Sequence, residues 1–437
     1  MTNLLAARLQ MAGSLGFHII FAVVGMAMPL LMLLAEIRWR KTGDPMYREL
    51  AQRWAKGTAI LFAVGAVSGT VLSFELGLLW PNFMAFAGPV IGLPFALEGF
   101  AFFLEAIFLG IYLYGWEKVS ARMHLFAGFM VAGCGTLSGV FVTTVNAWMN
   151  TPRGFDIVNG MPANIEPLVA MTSPAAFTQC AHVVVSAWQS VAWAVVAIHA
   201  AILLRKPTHA FHRRALAIAL PVAVISALLQ PIVGDFSAKM VAKYEPVKLA
   251  AMEGQWETIK GAPLRIGGWP DQEAEETRYA IEIPKLLSIL ASFDPNYEVK
   301  GLKEFPKEDR PPVAITHIAF QIMVGSGMIM ALVSLLVLSL WWKAGRKLPR
   351  ERWLLRLLVW CGPLGMIAME AGWVVTEVGR QPWVIHGVMR TSEAVTPFEG
   401  VPYTLALFMV IYAALAYTVV QLLRRQVFAS VKEDGDD

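Results

Sequence analysis

One stretch near the C-terminus decides the fold: Ala371-Gly372-Trp373-Val374-Val375-Thr376-Glu377-Val378-Gly379-Arg380-Gln381-Pro382-Trp383. It ends a long apolar run and places a carboxylate, Glu377, three residues before a guanidinium, Arg380. A carboxylate near lipid costs several kcal/mol unless it is paired or bound. Two interpretations therefore stand: an ion pair that closes a helix end between aromatic anchors, or a carboxylate that faces a cofactor inside the protein.

The composition indicates an integral membrane protein. The chain has 437 residues, of which 57% are hydrophobic and 16% are charged, against about 25% charged in soluble proteins. The net charge of +4 is small, and the basic residues lie in short loops, which is typical of a topology signal and not of a nucleic-acid site. None of the three cysteines forms a C-x-x-C motif, so the sequence indicates no disulfide framework or zinc site.

The fold class that we predict is an all-α integral membrane protein with nine transmembrane helices. Each apolar stretch is about 20 residues or longer, which is enough to cross roughly 30 Å of hydrocarbon. The predicted spans are 14–36, 57–79, 92–114, 125–148, 178–204, 213–233, 313–342, 353–377 and 402–423.

Alternate loops are rich in lysine and arginine, and these set the orientation. The basic residues of these loops are Arg38, Arg40, Lys41, Arg48, Arg53, Lys56, Lys118, Arg122, Arg205, Lys206, Arg213, Arg214, Lys343, Arg346, Lys347, Arg350 and Arg352. The loop at 80–91 has none, and the loop at 149–177 has only Arg153. Because positive loops stay in the cytoplasm, we predict an outer N-terminus and a cytoplasmic C-terminus.

A long polar segment at 234–312 lies on the outer side in this topology. A connection of this length is functional or disordered, and its aromatic residues and helix-like patterns favour a functional one. The predicted organisation is transmembrane helices 1–6 in 1–233, the outer loop in 234–312, helices 7–9 in 313–424 and a cytoplasmic tail in 425–437.

Ionisable residues inside the spans are the candidates for chemistry, since such residues mark proton paths, ion paths or cofactor sites. They are His18, Glu75, Glu98, Glu105, His182, Glu370 and Glu377. Glu98 and Glu105 are seven apart, so both point to one face of the third span. A lone histidine can also simply bond a neighbouring helix, and we expect Glu75 to reach the interface or a partner chain.

In order along the chain, these residues and their surroundings closely resemble subunit I of the cytochrome bd-type quinol oxidases, of the short quinol-loop type. The resemblance covers nearly the whole chain. Its motifs are Arg8-Leu9-Gln10, His18, Leu97-Glu98-Gly99, Phe102-Phe103-Leu104-Glu105, Asn146-Ala147-Trp148-Met149, His182, Lys248-Leu249-Ala250-Ala251-Met252-Glu253, Pro270-Asp271-Gln272-Glu273, Met323, Glu370-Ala371-Gly372-Trp373 and Gly379-Arg380-Gln381-Pro382-Trp383.

The resemblance implies three haems: two of b type, one low-spin and one high-spin, and a haem d or a third haem b. It implies that His182 and Met323 hold the low-spin haem, as suits an iron with both axial sites filled. His18 and Glu377 would be ligands of the other two, with Glu98 near or on one of those irons. Which of these haems each residue binds stays open.

The remaining residue roles also follow from the resemblance. Glu105 and Asn146 would belong to a proton route, Arg380 would offset a haem propionate or Glu377, and Trp373 would lie between the haems. In the outer loop, Lys248 and Glu253 would bind quinol, with Glu253 accepting its proton; a solvated charge pair is the alternative.

The implied function is a respiratory terminal oxidase that oxidises quinol at the outer face and reduces dioxygen with cytoplasmic protons, generating a proton-motive force without pumping. Expected partners are a second membrane subunit, small accessory single-helix subunits, lipid, quinol and dioxygen, without nucleic acid. The expected location is a bacterial or archaeal inner membrane. A haem-free proton-coupled transporter is the alternative, although the sequence lacks the repeated halves of that class.

The sequence also departs from the family pattern. Glu98 and Glu105 are seven apart where many members have one more residue between them, and Gln321 occupies a position where many members have arginine. Gln321 precedes Met323 by two residues, so the departure concerns the low-spin haem or the quinol contact.

Overall fold

The computed structural model describes residues 2–345 and 350–425. Within these ranges, nine helices are long and apolar enough to cross a membrane, as predicted. The helices are α1 Asn3–Thr42, α2 Pro45–Leu79, α3 Pro81–Tyr114, α4 Ala121–Asn150, α5 Pro167–Met171, α6 Ala176–Arg205, α7 Ala210–Tyr244, α8 Pro246–Glu253, α9 Leu286–Ser292, α10 Val313–Lys343, α11 Arg352–Cys361, α12 Leu364–Val378, α13 Thr391–Ala394 and α14 Val401–Leu423.

Four helices, α1, α2, α3 and α7, extend well beyond the predicted spans. Thr2, Asp44 and Ser120 supply side-chain caps to α1, α2 and α4. The eighth span predicted at 353–377 is confirmed as Arg352–Val378. Within it the chain turns at Gly362–Pro363, between α11 and α12.

The outer segment is shorter than 234–312, since α7 continues to Tyr244. It holds α8, α9, two 3₁₀ turns and several short antiparallel ribbons, so the chain is not purely helical. The strands are β1 Asp156–Val158, β2 Met161–Ala163, β3 Ile259–Lys260, β4 Leu264–Ile266, β5 Trp269–Asp271, β6 Glu276–Arg278, β7 Ile281–Ile283, β8 Glu298–Val299, β9 Trp383–Ile385 and β10 Met389–Arg390. They pair as β1–β2, β3–β8, β4–β7, β5–β6 and β9–β10.

The main core lies where α1 and α6 pack against their neighbours. α1 contacts α2, α4, α6 and α14, and α6 contacts α7, α11 and α12. Fully buried aliphatic and aromatic residues such as Leu31, Trp193 and Leu216 fill this region. Polar residues buried on these two helices, such as Ser14 and Gln189, therefore contact other helices.

Two sequence expectations differ from the structure or fall outside it. Glu75 does not reach a surface: it is 2% exposed, and Gln10 Nε2 donates to its Oε1 at 2.9 Å. Of the predicted tail at 425–437, only Arg425 is described, and Arg346 and Lys347 also lie outside the described residues.

Candidate functional site

Glu377 sits in the last turn of α12 and is held by two donors. Arg380 Nη2 donates to its Oε2 at 2.6 Å, and Asn146 Nδ2 of α4 donates to its Oε1. Arg380 is 2% exposed, and its Nε and Nη1 have no partner among the described residues. The ion pair of the first interpretation is therefore present, and the guanidinium keeps unused donors for a further anion.

A chain of hydrogen bonds connects Glu377 with the outer loop. Asn150 Nδ2 donates to the Oδ1 of Asn146 at 3.1 Å and to its backbone oxygen at 2.9 Å. Lys248 Nζ in α8 donates to Asn150 Oδ1 at 2.5 Å and is ion-paired with Glu245. Burial lowers the pKa of Lys248, and the Glu245 carboxylate opposes that shift. Two asparagine amides, Asn150 and Asn146, thus link the Lys248 ammonium group to the Glu377 carboxylate of α12.

Glu253 ends α8 and is 4% exposed. Its Oε2 finds no donor in the described part of the chain. Burial raises the pKa of Glu253 to about 8, and the charge of Arg265 opposes this effect. A carboxyl group with such a pKa can take up a proton at neutral pH. Lys248 and Glu253 are both buried in α8, so they are not the solvated charge pair of the alternative.

A cleft of about 360 Å³ lies in the segment that follows Glu253 in the sequence. Its lining combines an aromatic ring with charged groups of both signs, and consists of Gln255, Trp256, Glu257, Ile259, Arg265, Ala274, Glu275, Glu276, Thr277 and Lys303. Lys248 and Glu253 are not among these lining residues.

His182 of α6 and Met323 of α10 lie at similar depth. Gln189 Nε2 contacts Met330 Sδ at 3.6 Å, and these residues follow His182 and Met323 by seven positions each. α6 and α10 run in the same direction, because one membrane crossing, α7, separates them. Two helical turns before this contact, the His182 imidazole and the Met323 thioether are therefore at the same level along the two helices.

His18 of α1 lies against Ser68. Its Nδ1 is 2.9 Å from the hydroxyl oxygen of Ser68, and that hydroxyl also lies within hydrogen-bond distance of the carbonyls of Val64 and Gly65. In the tautomer that donates from Nδ1 to Ser68, the lone pair is on Nε2, and a histidine of this tautomer can bind a metal through Nε2.

The two carboxylates of α3 both meet α4. Glu98 accepts from Ser138 Oγ at 3.1 Å. Glu105 is 4% exposed, and its Oε1 has no partner in the ranges described. A Cβ on Gly135 would lie 3.0 Å from that oxygen, so a glycine makes the room that the carboxyl group occupies.

Asn146 lies apart from these carboxylates. It is eleven residues from Gly135 on α4, about 16 Å along the helix axis. The structure thus groups Asn146 with Glu377 and Lys248, whereas the sequence grouped it with Glu105. Trp373 is half-buried and packs against the main core.

The side chains present fit the expected haems. Imidazole, thioether and carboxylate groups are the donors that an axial iron position takes. Each sulfur or imidazole candidate faces a glycine: a Cβ would lie 3.0 Å from His18 at Gly69, 3.5 Å from His182 at Gly234 and 3.1 Å from Met323 at Gly372. The free donors of Arg380 suit a propionate.

Several residues of this site escaped the sequence analysis, namely Ser68, Ser138, Asn150 and Glu245. Each of these polar residues is one or two positions from an apolar residue, and none belongs to a recognisable sequence motif. The spacing of Glu245 and Lys248, three apart at the start of α8, was the one local signal of a partner.

Comparison with known proteins agrees with this arrangement. The family described as cytochrome bd terminal oxidase subunit I matches residues 6–431. A Bacillus subtilis (strain 168) protein provisionally named cytochrome bd menaquinol oxidase subunit I is 40% identical over 97% of this chain and 96% of its own length. Cytochrome bd ubiquinol oxidase subunit 1 of the same organism is 30% identical over 100% of this chain and 96% of its own.

The structure of bd oxidase from Geobacillus thermodenitrificans is similar in fold, with a TM-score of 0.92 and 40% identity over 98% of this chain and 99% of that one. Family, relatives and fold all point to the same class of protein, and they replace the transporter alternative. The chain belongs to the cytochrome bd terminal oxidase subunit I family, and it is a multi-pass bacterial membrane protein that acts as a subunit of a haem-containing quinol oxidase.

Proposed function

We propose that this subunit oxidises quinol at the outer face of the bacterial inner membrane, reduces dioxygen to water with cytoplasmic protons, and so builds a proton-motive force without a pumping element. Family membership supplies the coarser statement: a terminal quinol oxidase subunit with haem cofactors, a subunit II as partner, and quinol and dioxygen as substrates. The observation that carries the finer proposal is the hydrogen-bond chain from Lys248 to Glu377.

The orientation rests on the basic loops. Lysine and arginine residues such as Arg40, Lys118 and Lys206 lie in the short α1–α2, α3–α4 and α6–α7 turns or at the helix ends that flank them, which supports a cytoplasmic position for these turns. α8 and the cleft beside it then face outward. We propose that the chain divides into four segments: the first six membrane-spanning helices, the outer loop, the last three membrane-spanning helices and the tail.

Quinol oxidation needs one group that holds a quinone oxygen and one that takes a proton, because electrons leave quinol only as its protons do. Lys248 can donate to the oxygen. Glu253 can accept the proton, since its buried carboxyl group has a free oxygen. Arg265 lies close enough to influence the charge of Glu253.

Haem, when bound, accepts single electrons and binds dioxygen at an iron whose axial position is open. We assign His182 and Met323 to a low-spin haem b. His18 and Glu377 would hold the other two haems, a high-spin b and either a haem d or a third haem b, with Glu98 near or on one of them. Arg380 would pair with a propionate, and Trp373 would lie between haems.

Glu105 and Asn146 are proposed to belong to a proton route toward the oxygen site. Glu98 and Glu105 both contact α4 inside the bundle. The amide of Asn146 also donates to Glu377. Small accessory single-helix subunits and lipid are proposed as further partners.

The first experiment is the absorption spectrum of the dithionite-reduced complex, with and without carbon monoxide. Low-spin b bands together with a far-red, carbon monoxide-sensitive band are expected. Carbon monoxide-sensitive bands of b type alone would place haem b at the third site. Absence of haem would overturn the proposal.

Ligand assignment is tested by His182→Ala and Met323→Ala, each of which should remove the low-spin signal. Met330→Leu is the matched control, because it is a buried methionine two turns away on the same helix and should leave the spectrum unchanged. An unaltered low-spin signal in Met323→Ala would reject the ligand pair.

A further inference from the structure

His317 lies in the first turns of α10 and is completely buried, with 0% exposure. Both ring nitrogens face backbone carbonyl oxygens. Nδ1 is 2.8 Å from the oxygen of Met252, and Nε2 is 3.0 Å from the oxygen of Gly267. The ring therefore bridges the end of α8 and the turn after β4.

Both contacts tie backbone to α10. A carbonyl oxygen accepts hydrogen bonds, and a ring nitrogen that carries hydrogen can donate to it. His317 therefore connects α10 with two separate backbone segments, at Met252 and at Gly267.

A second side chain of α10 binds the same loop. One turn after His317, Gln321 accepts from the N–H of Gly267 at 3.0 Å and donates to the oxygen of Arg265 at 3.0 Å. Gln321, which stands where many family members have arginine, thus binds the backbone of this loop. Together the two side chains fix Arg265–Gly267 on α10.

The other end of the bridge is equally constrained. Gly254 has φ +59°, and a Cβ there would lie 2.7 Å from Thr277 Oγ1 and 3.4 Å from His317 Nδ1. Only glycine tolerates this conformation and this contact readily. Glu253 lies between the carbonyl that His317 binds and this glycine, so α10 sets the position of its carboxyl group.

α8, β5, α7 and α12 pack against α10. Among the described contacts, no charged side chain forms a hydrogen bond or ion pair with His317, so the two carbonyls are its direct partners.

We propose that His317 is a positioning residue that holds Glu253 in place for quinol oxidation. This inference rests on the proposed function of Glu253.

The positioning role is tested by steady-state kinetics. His317→Gln should raise the KM for quinol about tenfold, with haem content and the rate with an artificial electron donor unchanged. His199→Gln, a buried histidine of α6 bonded to His212, is the matched control and should keep the KM. An unchanged KM in His317→Gln would overturn the positioning role, whereas full quinol turnover in Glu253→Gln would overturn the proposed function itself.

Discussion

Two carboxylates, the buried Glu253 and the half-buried Glu377, differ in what surrounds them. Glu377 accepts from Asn146 and Arg380. Glu253 lacks a donor on one oxygen and is buried, and its pKa rises to about 8. Desolvation favours the acid form of a carboxyl group. Glu253 is thus suited to exchange a proton.

The shift at Glu253 predicts a pH dependence. The proton-accepting form is the carboxylate, and with a pKa raised to about 8 this form increases as pH rises. We expect kcat/KM for quinol to climb about tenfold per pH unit below about pH 8 and then level off. Glu253→Gln should be slow and lack this rise.

The matched control for that profile is Glu257→Gln. Glu257 lies on the same loop, but it is exposed and paired with Lys303. Its variant should retain the pH profile of the unmodified complex. A rise of the same size in Glu253→Gln would show that another group accepts the proton.

At the residue scale, the sequence indicates which residues are unusual but not whom they contact. Glu98, Glu105 and Glu377 stand out because each is ionisable in an apolar run. The partners of Asn146 were assigned differently because a position on α4 does not tell which neighbouring helix it faces. His317 drew no attention, since the carbonyls that surround it are backbone atoms without a sequence signal.

At the scale of elements, the turn between α11 and α12 brings the site helix against α6. A Cβ on Gly362 would lie 2.4 Å from Ala197 Cβ, and one on Gly365 would lie 2.5 Å from Ser190 Cα. Ser190 Oγ also donates to the oxygen of Gly365 at 2.8 Å. Close approach of the backbones at this crossing positions α12, and hence Glu377, relative to α6 and His182.

Gly365→Ala should therefore destabilise the complex. The new methyl group would meet the backbone of α6, which cannot move aside as a flexible side chain does, and overpacking of this kind costs about 1–3 kcal/mol. The measurement is the temperature at which haem absorption is lost in detergent. Gly110→Ala on α3, where a Cβ meets nothing within 4 Å, should not lower it. Equal stability of both variants would contradict the tight crossing.

The number of membrane helices was predictable because a run of apolar residues of sufficient length is a strong signal. The helix ends were not, since they depend on caps and on contacts outside the hydrocarbon region. The ribbons of the outer loop were missed because strands of two or three residues contain too little alternation to detect. The Gly362–Pro363 dipeptide is a turn signal, but the apolar residues on both sides make the whole stretch resemble one uninterrupted span.

For the whole molecule, the placement of charge predicts which face is which. Lys118 lies between α3 and α4 in the proposed cytoplasmic layer, and Tyr279 lies in the outer segment and is 93% exposed. The native cysteines are buried or half-buried within spans, so they provide a low background.

In intact cells, a membrane-impermeant maleimide should label Tyr279→Cys at once. Lys118→Cys should react only after the membrane is opened. Both variants replace exposed side chains, so the oxidase activity of each should remain as a check of folding. Labelling of Lys118→Cys alone in intact cells would invert the proposed topology.

The chain of contacts from Lys248 to Glu377 has a consequence for energy conservation. Its two middle members, Asn150 and Asn146, are amides, which neither gain nor lose a proton near neutral pH. The chain thus links the two ends through two groups that do not titrate. A proton taken from quinol would have no titratable stepping stone along these side chains toward the interior. The electrons could cross alone, and the charge separation that drives the membrane potential would not be short-circuited.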